Sequence, residues 1–140
     1  MRRGFTVIEL TVALLLMAAT LSALLPAARR QRDRMAVVAA REALVAMLAR
    51  TRRDARLAGG ATLLVRREPG TAWIETTGAP RDTLELAEEF GVRLELSSAE
   101  VRLAFDALGI GRLASRSLVL ARGEESAGVA VSAYGRVRRW

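Results

Sequence analysis

The sequence predicts an α+β protein in which one long N-terminal helix, bent near its middle, packs on a small antiparallel β-rich head. Three observations lead to this fold class. An apolar run extends from Phe5 to Leu25. From Ala27 to Leu57 the chain has no proline or glycine and is rich in alanine, leucine and arginine, which are good helix formers. After Gly60 the hydrophobic period changes from helical to alternating, as in half-buried strands.

The apolar run has the length of a membrane span. Its 21 residues form roughly 30 Å of helix, which matches the hydrocarbon core of a bilayer. Glu9 is the one charged residue within it, and a lone carboxylate in such a segment is costly. Glu9 is therefore a candidate functional residue. Pro26 closes the run, and we expect it to kink the helix.

The stretch after Pro26 carries an apolar stripe at helical spacing, predicted to pack against the head. Its members are Val37, Ala40, Leu44, Met47 and Thr51, with Leu48 and Ala55 close to the same face. Arginines occupy the opposite side, namely Arg41, Arg50, Arg52, Arg53 and Arg56. Gly59 and Gly60 then end the helix. The predicted helix runs from Phe5 to about Ala58, with residues 5–25 in the membrane and 26–58 beyond it.

Residues 61–140 form the predicted head. Two hairpins are expected, one pairing 61–67 with 71–77 around Glu68-Pro69-Gly70, the other pairing 117–122 with 128–133 across Gly123-Glu124-Glu125. Further strands are predicted at 92–96, at 101–105 and from Val137, while 84–90 is ambiguous between strand and helical turn. An amphipathic helix laid on one antiparallel sheet, or on two small sheets, buries both apolar faces.

The composition argues against an enzyme. The chain contains no cysteine and no histidine, which removes disulfides, the usual zinc ligands and the common nucleophile–base pairs. The carboxylates show no organised cluster, so we expect no catalytic site, no metal and no cofactor. The formal charge of +7 comes from arginine alone, since there is no lysine. A positive charge permits binding to a polyanion but does not establish it.

The first ten residues resemble the leader of type IV pilins and type II secretion pseudopilins. The resemblance rests on the basic residues Arg2 and Arg3, on Gly4, Phe5 and Glu9, and on the apolar run behind them. It implies a type IV pilin-like fold. It also implies that a prepilin peptidase removes residues 1–4 by cutting between Gly4 and Phe5, and that Phe5 is then N-methylated. Glu9 would pair with the α-amino group of a neighbouring subunit.

The same resemblance implies partners and a location. The partners are other pilins or pseudopilins in a filament, the prepilin peptidase, an inner-membrane assembly platform and membrane lipid. The chain would cross the inner membrane once, with a periplasmic head, before extraction into a periplasmic pseudopilus or a surface pilus.

Three other interpretations of the N-terminal segment stay open. A secretory signal peptide would need a small-residue cleavage site, which residues 24–29 match poorly. A twin-arginine signal is partly matched by residues 2–5. Glu9 argues against both, because their central region is purely apolar. The third is a plain single-pass anchor of a periplasmic protein unrelated to filaments.

A basic cluster follows the apolar run, formed by Arg29, Arg30, Arg32 and Arg34. It has two interpretations. One is a solvated helix face whose arginine stems snorkel along apolar surface. The other is contact with anionic lipid headgroups or with acidic residues of neighbouring subunits.

The C-terminal half is similar to the GspH/FimT family of minor pseudopilins. The similarity rests on a segment from Phe105 to Gly109 and on a late Gly135-Arg136-Val137. It implies a structural subunit of either a type II secretion pseudopilus or a type IV pilus, and the sequence does not decide between the two machines. Some FimT-like members bind DNA during uptake.

The last residues are the candidate DNA-binding group, formed by Arg136, Arg138, Arg139 and Trp140. Arginines would bind phosphates and the indole would stack on a base. Strand alternation would place Arg136 and Arg138 on one side of an extended segment. The alternative is an edge strand whose arginines discourage pairing with another sheet.

Overall fold

The computed structural model describes residues 6–76, 79–111 and 115–140, without the side chains of residues 79–81. The chain divides into two compact units, Met1–Arg32 and Asp33–Trp140. Helix α1 (Val7–Ala58) begins in the first unit and continues into the second. Its apolar window has no buried residue, and by length and composition this helix is able to cross a membrane. The first unit therefore presents its apolar side chains outward, as a membrane span does.

The second unit contains the rest of α1, and here the predicted stripe is confirmed. All seven of its members are buried. Thr51, the one polar member, donates from Oγ1 to the carbonyl of Met47 at 2.8 Å, so its hydroxyl is satisfied inside the core. The period of the apolar residues was sufficient to identify this face because neighbouring turns of a helix repeat every three to four residues.

Two four-stranded antiparallel sheets complete this unit. The first has the order β3-β2-β1-β5 and consists of β1 (Gly60–Arg66), β2 (Thr71–Thr76), β3 (Ala79–Glu85) and β5 (Glu100–Asp106). The second has the order β4-β6-β7-β8 and consists of β4 (Arg93–Glu95), β6 (Arg116–Arg122), β7 (Glu125–Val131) and β8 (Val137–Arg139). A short helix, α2 (Leu86–Phe90), follows β3.

One hydrophobic core joins the stripe of α1 to the inward side chains of both sheets. Leu63 of β1 lies between its cross-strand partners Ile74 and Leu103, and all three are fully buried. Leu118 and Leu120 contribute from the second sheet. This confirms the predicted α+β fold and selects two small sheets over one, since each sheet buries one face against the shared core.

The strand predictions are mostly confirmed, with differences at the second hairpin and at β3. Strand β7 begins at Glu125, directly after a turn at Gly123 and Glu124, whereas the predicted strand began at Gly128. Its first residues are small or polar and carry little strand propensity. Thr77, the predicted end of the second strand, lies outside the described residues.

Strand β3 carries no clear strand signal because Pro80 and Asp82 interrupt it. It lies at the edge of its sheet, where proline is tolerated because one side of the strand needs no ladder hydrogen bond. The ambiguous segment 84–90 holds both elements, since β3 ends at Glu85 and α2 begins at Leu86.

Candidate functional site

Glu9 forms a capping box at the start of α1. One of its carboxylate oxygens, Oε2, accepts hydrogen bonds from the backbone N–H and the hydroxyl of Thr6, at 3.2 and 3.3 Å. The N–H of Glu9 donates in turn to Oγ1 of Thr6 at 3.2 Å. Two of the N–H groups that a helix start leaves unpaired are thereby satisfied. The carboxylate also lies near the positive end of the helix dipole.

The sequence contained the signal for this arrangement, because Thr6-Val7-Ile8-Glu9 has the spacing of a capping box. From the sequence, Glu9 was interpreted as a lone charge in the apolar run and, through the resemblance to pilins, as the partner of a neighbouring subunit's α-amino group; a helix cap was not predicted. The other carboxylate oxygen, Oε1, accepts no hydrogen bond from any residue that the structure describes. Gly4 and Phe5, the predicted cleavage and methylation positions, lie outside the described residues.

Pro26 lies inside α1, which continues on both sides of it. The predicted kink at this proline stays a prediction. The basic cluster at residues 29–34 is exposed at all four of its arginines. Asp33, which lies between Arg32 and Arg34 in the sequence, forms an ion pair with Arg122 of β6 at 2.9 Å. This pair attaches the first residue of the second unit to the sheet.

The C-terminal tail is held in the sheet to its last residue. Strand β8 forms the edge of the second sheet and pairs with β7, with Arg138 opposite Ala130 and Arg139 opposite Val129. Beyond it, Gly128 and Trp140 exchange both backbone hydrogen bonds, at 2.9 and 3.1 Å. The tail is therefore a fixed strand in this fold.

The indole of Trp140 occupies the space above Gly128. A Cβ at Gly128 would lie 2.3 Å from Cζ2 of the indole, so only glycine permits this approach. Trp140 nevertheless stays 53% exposed. Its carbonyl accepts a hydrogen bond from Arg41 of α1 at 3.4 Å. The ring is thus packed on one face and open on the other.

The structure separates the tail arginines. Arg139 forms an ion pair with Glu42 of α1 at 3.2 Å, and Glu42 is also paired with Arg41 at 2.9 Å. Part of the positive charge of Arg139 is thereby neutralised within the fold. No pattern in the sequence could assign this pairing, because it depends on where the sheet edge meets the helix.

Arg136 and Arg138 line one open groove of about 400 Å³, together with Arg116 at the start of β6. Neither guanidinium has a hydrogen-bond or ion-pair partner in the described part of the chain. Serine side chains add further donors, from Ser115, Ser117 and Ser132. Arg116 was missed in the sequence because its neighbours in the groove come from a distant segment. The groove presents three guanidinium groups and hydroxyls, the chemistry that contacts phosphates.

Among the described residues, no group of three or more acidic side chains is placed to hold a metal ion. The donors of the C-terminal groove are cationic or neutral, so its chemistry is that of an anion-binding surface.

The chain has a long N-terminal helix with a membrane-length apolar run, and the second half of this helix packs on an antiparallel β-rich head. This arrangement is the type IV pilin fold. The structure is similar to the crystal structure of the type IV minor pilin FimU from Pseudomonas aeruginosa strain PAO1, with a TM-score of 0.60. The likeness covers 73% of this chain and 86% of FimU at 19% sequence identity, a level that establishes the fold alone. No protein-family model and no curated protein matches the sequence.

Proposed function

We propose that this chain is a structural subunit of a pilin-type filament, a minor pseudopilin or minor pilin of the GspH/FimT kind. One observation carries the proposal. In a chain with the pilin fold, a lone carboxylate lies in the first turn of a membrane-length apolar helix, where the capping box needs only an acceptor and a neutral glutamine would serve. The chain would be a substrate of a peptidase and a component of a fibre.

The proposed assembly step follows from the geometry of Glu9. Cleavage after Gly4 would give Phe5 a new α-amino group. That amino group of Phe5 would then be N-methylated. The capping box uses Oε2 of Glu9, so Oε1 is left to accept a hydrogen bond from the amine of a neighbouring subunit. Each charge is costly in the membrane when alone, and pairing removes most of that cost. Assembly is therefore favoured over dispersal, and the pair sets the axial register.

The proposed location follows from the two units. The apolar window of α1 would cross the inner membrane, and residues 33–140 would form the periplasmic head. The exposed basic cluster would contact anionic lipid at the boundary. The assembly platform would extract the subunit into a type II secretion pseudopilus or a type IV pilus.

The test combines cleavage with incorporation. In cells that contain a prepilin peptidase and a filament-assembly machine, the wild-type chain should be shortened at its N-terminus and recovered in sheared filaments. Glu9→Leu should insert and be cleaved, but be depleted from filaments. An uncut wild-type precursor would point to an anchor unrelated to filaments, and normal incorporation of Glu9→Leu would remove the role given to Glu9.

A matched control separates assembly from helix capping. Thr6→Val removes the hydroxyl of the capping box but keeps the carboxylate of Glu9. It should be incorporated close to the wild-type level. If Thr6→Val is as defective as Glu9→Leu, the carboxylate acts by capping the helix and the proposed pairing is wrong.

A second candidate function is DNA binding at the C-terminal groove. The observation in its favour is that Arg116, Arg136 and Arg138 share one groove and that the last two have no partner in the described part of the chain. Phosphate contacts from such arginines give binding that weakens steeply as salt increases. Trp140 has one open indole face at the same strand edge, available for stacking on a base.

The test is a gel-shift titration of the full chain in detergent micelles against single- and double-stranded DNA at several salt concentrations. Arg136→Ala with Arg138→Ala should abolish the shift. Arg139→Ala is the matched control, since this arginine is already paired with Glu42, and it should have a smaller effect. Absence of a shift at low salt, or a shift unchanged by the double substitution, would exclude this function.

A further inference from the structure

One cavity of the second unit lies where α1, the start of β7 and Trp140 meet. Its volume is about 260 Å³. It is lined by Arg34, Val38 and Arg41 of α1, by Glu125 and Ser126 of β7, and by Trp140. We call this space the helix–tail cavity. It shares no lining residue with the C-terminal groove of Arg116, Arg136 and Arg138 and is therefore a separate surface.

The helix–tail cavity contains charges of both signs that do not pair with each other. Arg34 is exposed and Glu125 is half-buried. Neither side chain has a hydrogen-bond or ion-pair partner within residues 6–76, 79–111 and 115–140. An unpaired guanidinium and an unpaired carboxylate at one cavity leave both a donor set and an acceptor set for a ligand.

Arg41 adds a second guanidinium whose donors are only partly used. Its Nε and Nη2 atoms donate to Oε1 of Glu42 at 3.0 and 2.9 Å. In the described part of the chain its Nη1 atom makes only the 3.4 Å hydrogen bond to the carbonyl of Trp140, which is long for such a bond. Because a guanidinium carries five N–H donors, Arg41 keeps donors for an anion in the cavity.

Trp140 gives the cavity a fixed aromatic wall. Its backbone is held by the two hydrogen bonds to Gly128, and its indole, packed over that glycine, stays 53% exposed. An ammonium group over an indole face is attracted by the quadrupole of the ring. Because the position of the ring is set before a ligand arrives, binding costs little conformational entropy.

The cavity therefore suits a ligand that carries an anion and a cation a few atoms apart. Arginines bind the oxygens of a phosphate through paired hydrogen bonds. The carboxylate of Glu125 and the indole of Trp140 suit an ammonium, and the hydroxyl of Ser126 can accept from it. A purely anionic ligand would satisfy the arginines but would meet Glu125 as a like charge, which is unfavourable.

Phosphoethanolamine joins a phosphate and an ammonium through a short carbon link, and bilayer headgroups are its nearest source. Arg34 follows Leu25, the end of the apolar run, by nine residues, which is about 14 Å of helix. Arginine stems lean towards the helix N-terminus and along apolar surface, which here is the direction of the apolar run. The choice of a lipid source rests on the proposed membrane location of this chain.

We propose that the helix–tail cavity binds the phosphoethanolamine headgroup of a membrane phospholipid. Arg34 and Arg41 would hold the phosphate oxygens, while Glu125 and the indole of Trp140 would hold the ammonium. The bound headgroup would tie the head of the membrane-anchored subunit to lipid. Extraction of the subunit into a filament would break that contact.

The test uses the full chain in lipid nanodiscs, with Trp73→Phe so that only Trp140 emits. The starting lipid is phosphatidylcholine, whose methylated ammonium cannot donate to Glu125. One series replaces it stepwise with phosphatidylethanolamine, and a parallel series with phosphatidylglycerol, which has the phosphate but no ammonium. Phosphatidylethanolamine should shift the Trp140 emission to shorter wavelength and reduce quenching by acrylamide until both saturate. Phosphatidylglycerol should protect Trp140 less at the same fraction.

Charge variants test the roles of the lining residues. Glu125→Gln should raise the phosphatidylethanolamine fraction at half-maximal protection by about fivefold, the effect of losing one ion pair, and should remove the preference over phosphatidylglycerol. Arg34→Gln should weaken protection by both lipids. Glu89→Gln and Arg53→Gln are the matched controls, since both positions are exposed and lie outside the cavity, and they should change neither series. All four variants should keep the wild-type urea midpoint.

Free phosphoethanolamine, titrated onto the chain in detergent micelles, separates a lipid from a soluble ligand. It should protect Trp140 only at about millimolar concentration, because it lacks the high effective concentration of a lipid beside an anchored chain. Protection of Trp140 at micromolar concentration would assign the cavity to a soluble ligand and overturn the lipid assignment.

A chain that inserts into nanodiscs without any response of Trp140 to phosphatidylethanolamine would overturn the inference. So would a response that Glu125→Gln leaves unchanged. Both results leave the proposed filament function intact. A chain that does not enter nanodiscs contradicts the membrane location of the proposed function, and this inference then fails with it.

Discussion

Replacement of Gly128 by alanine should expel the indole of Trp140 and loosen the end of the C-terminal tail. The new Cβ would lie 2.3 Å from Cζ2 and 2.4 Å from Cε2 of the indole. Carbon atoms in contact prefer about 3.5–4.0 Å, so the ring must retreat by more than about 1 Å. The paired backbone hydrogen bonds between Gly128 and Trp140 limit how far the tail can follow without leaving the sheet.

The magnitude follows from the area that the indole buries. Trp140 is 53% exposed, so about half of its surface is covered. A fully buried large aromatic removes about 150–250 Å² from water, which makes the covered area here roughly 100 Å². At about 25 cal/mol per Å² this sets an upper bound of about 2.5 kcal/mol on the lost stability. We expect a decrease of about 1–2.5 kcal/mol in the free energy of unfolding of the head.

The assay is urea unfolding of the full chain in detergent micelles, followed by circular dichroism. Trp73→Phe provides a background in which only Trp140 emits. In that background Gly128→Ala should shift the emission to longer wavelength and increase quenching by acrylamide. Ser126→Ala, an exposed position on the same strand, is the matched control and should change neither property.

A double-mutant cycle provides the refutation. In a Trp140→Ala background the space above residue 128 is open, so Gly128→Ala should then cost almost nothing. An equal loss of stability in both backgrounds would show that the glycine is needed for its own backbone, and the packing argument for Trp140 would be wrong.

Three further predictions concern the core, the helix start and one ion pair. Leu44→Ala should lower the free energy of unfolding by about 2–5 kcal/mol, because it leaves a cavity at a fully buried position. Met35→Ala, at an exposed position of the same helix, should have little effect in the same urea titration. Thr6→Ala should destabilise the first turn of α1 by about 1 kcal/mol, seen as faster amide hydrogen exchange there but not near Leu44. Hydrogen bonds from Arg102, then from Arg66, hold the pKa of Glu100 below its ordinary value. The contribution of Glu100 to stability is therefore complete above the pKa that its carboxyl has in the unfolded chain. It is lost as the pH falls through the lower pKa of the folded protein. Arg102→Ala should move the titration midpoint of the Glu100 carboxyl upward in NMR spectra, and an unchanged midpoint would contradict the assignment.

The helix was predictable because its signal is local. The buried face of α1 repeats within a few residues, so the positions from Val37 to Ala55 identify it without knowledge of the partner surface. Arg52 was predicted to lie on the side of the helix opposite the stripe, and this prediction was wrong. The Nη2 atom of Arg52 is buried beside Gly135, because a segment distant in the sequence packs on that side of the helix.

The C-terminal tail shows the same limit at the functional surface. In the sequence, Arg136, Arg138 and Arg139 are equivalent basic residues. In the fold, Arg139 is paired with Glu42, while the other two line a groove with Arg116. These pairings join segments far apart in the chain, and only strand order and register decide which of them meet.

The membrane-length helix, the lone Glu9, the buried stripe and the α+β class could all be identified from the sequence, because each depends on residues within a few turns or strands of one another. Three features became visible only in the fold. The head has two sheets, one tail arginine is paired with Glu42 while two line a groove, and donors of Arg52 are buried beside Gly135. Burial and ion pairing between remote segments depend on how those segments pack, and a linear pattern carries no direct record of that packing.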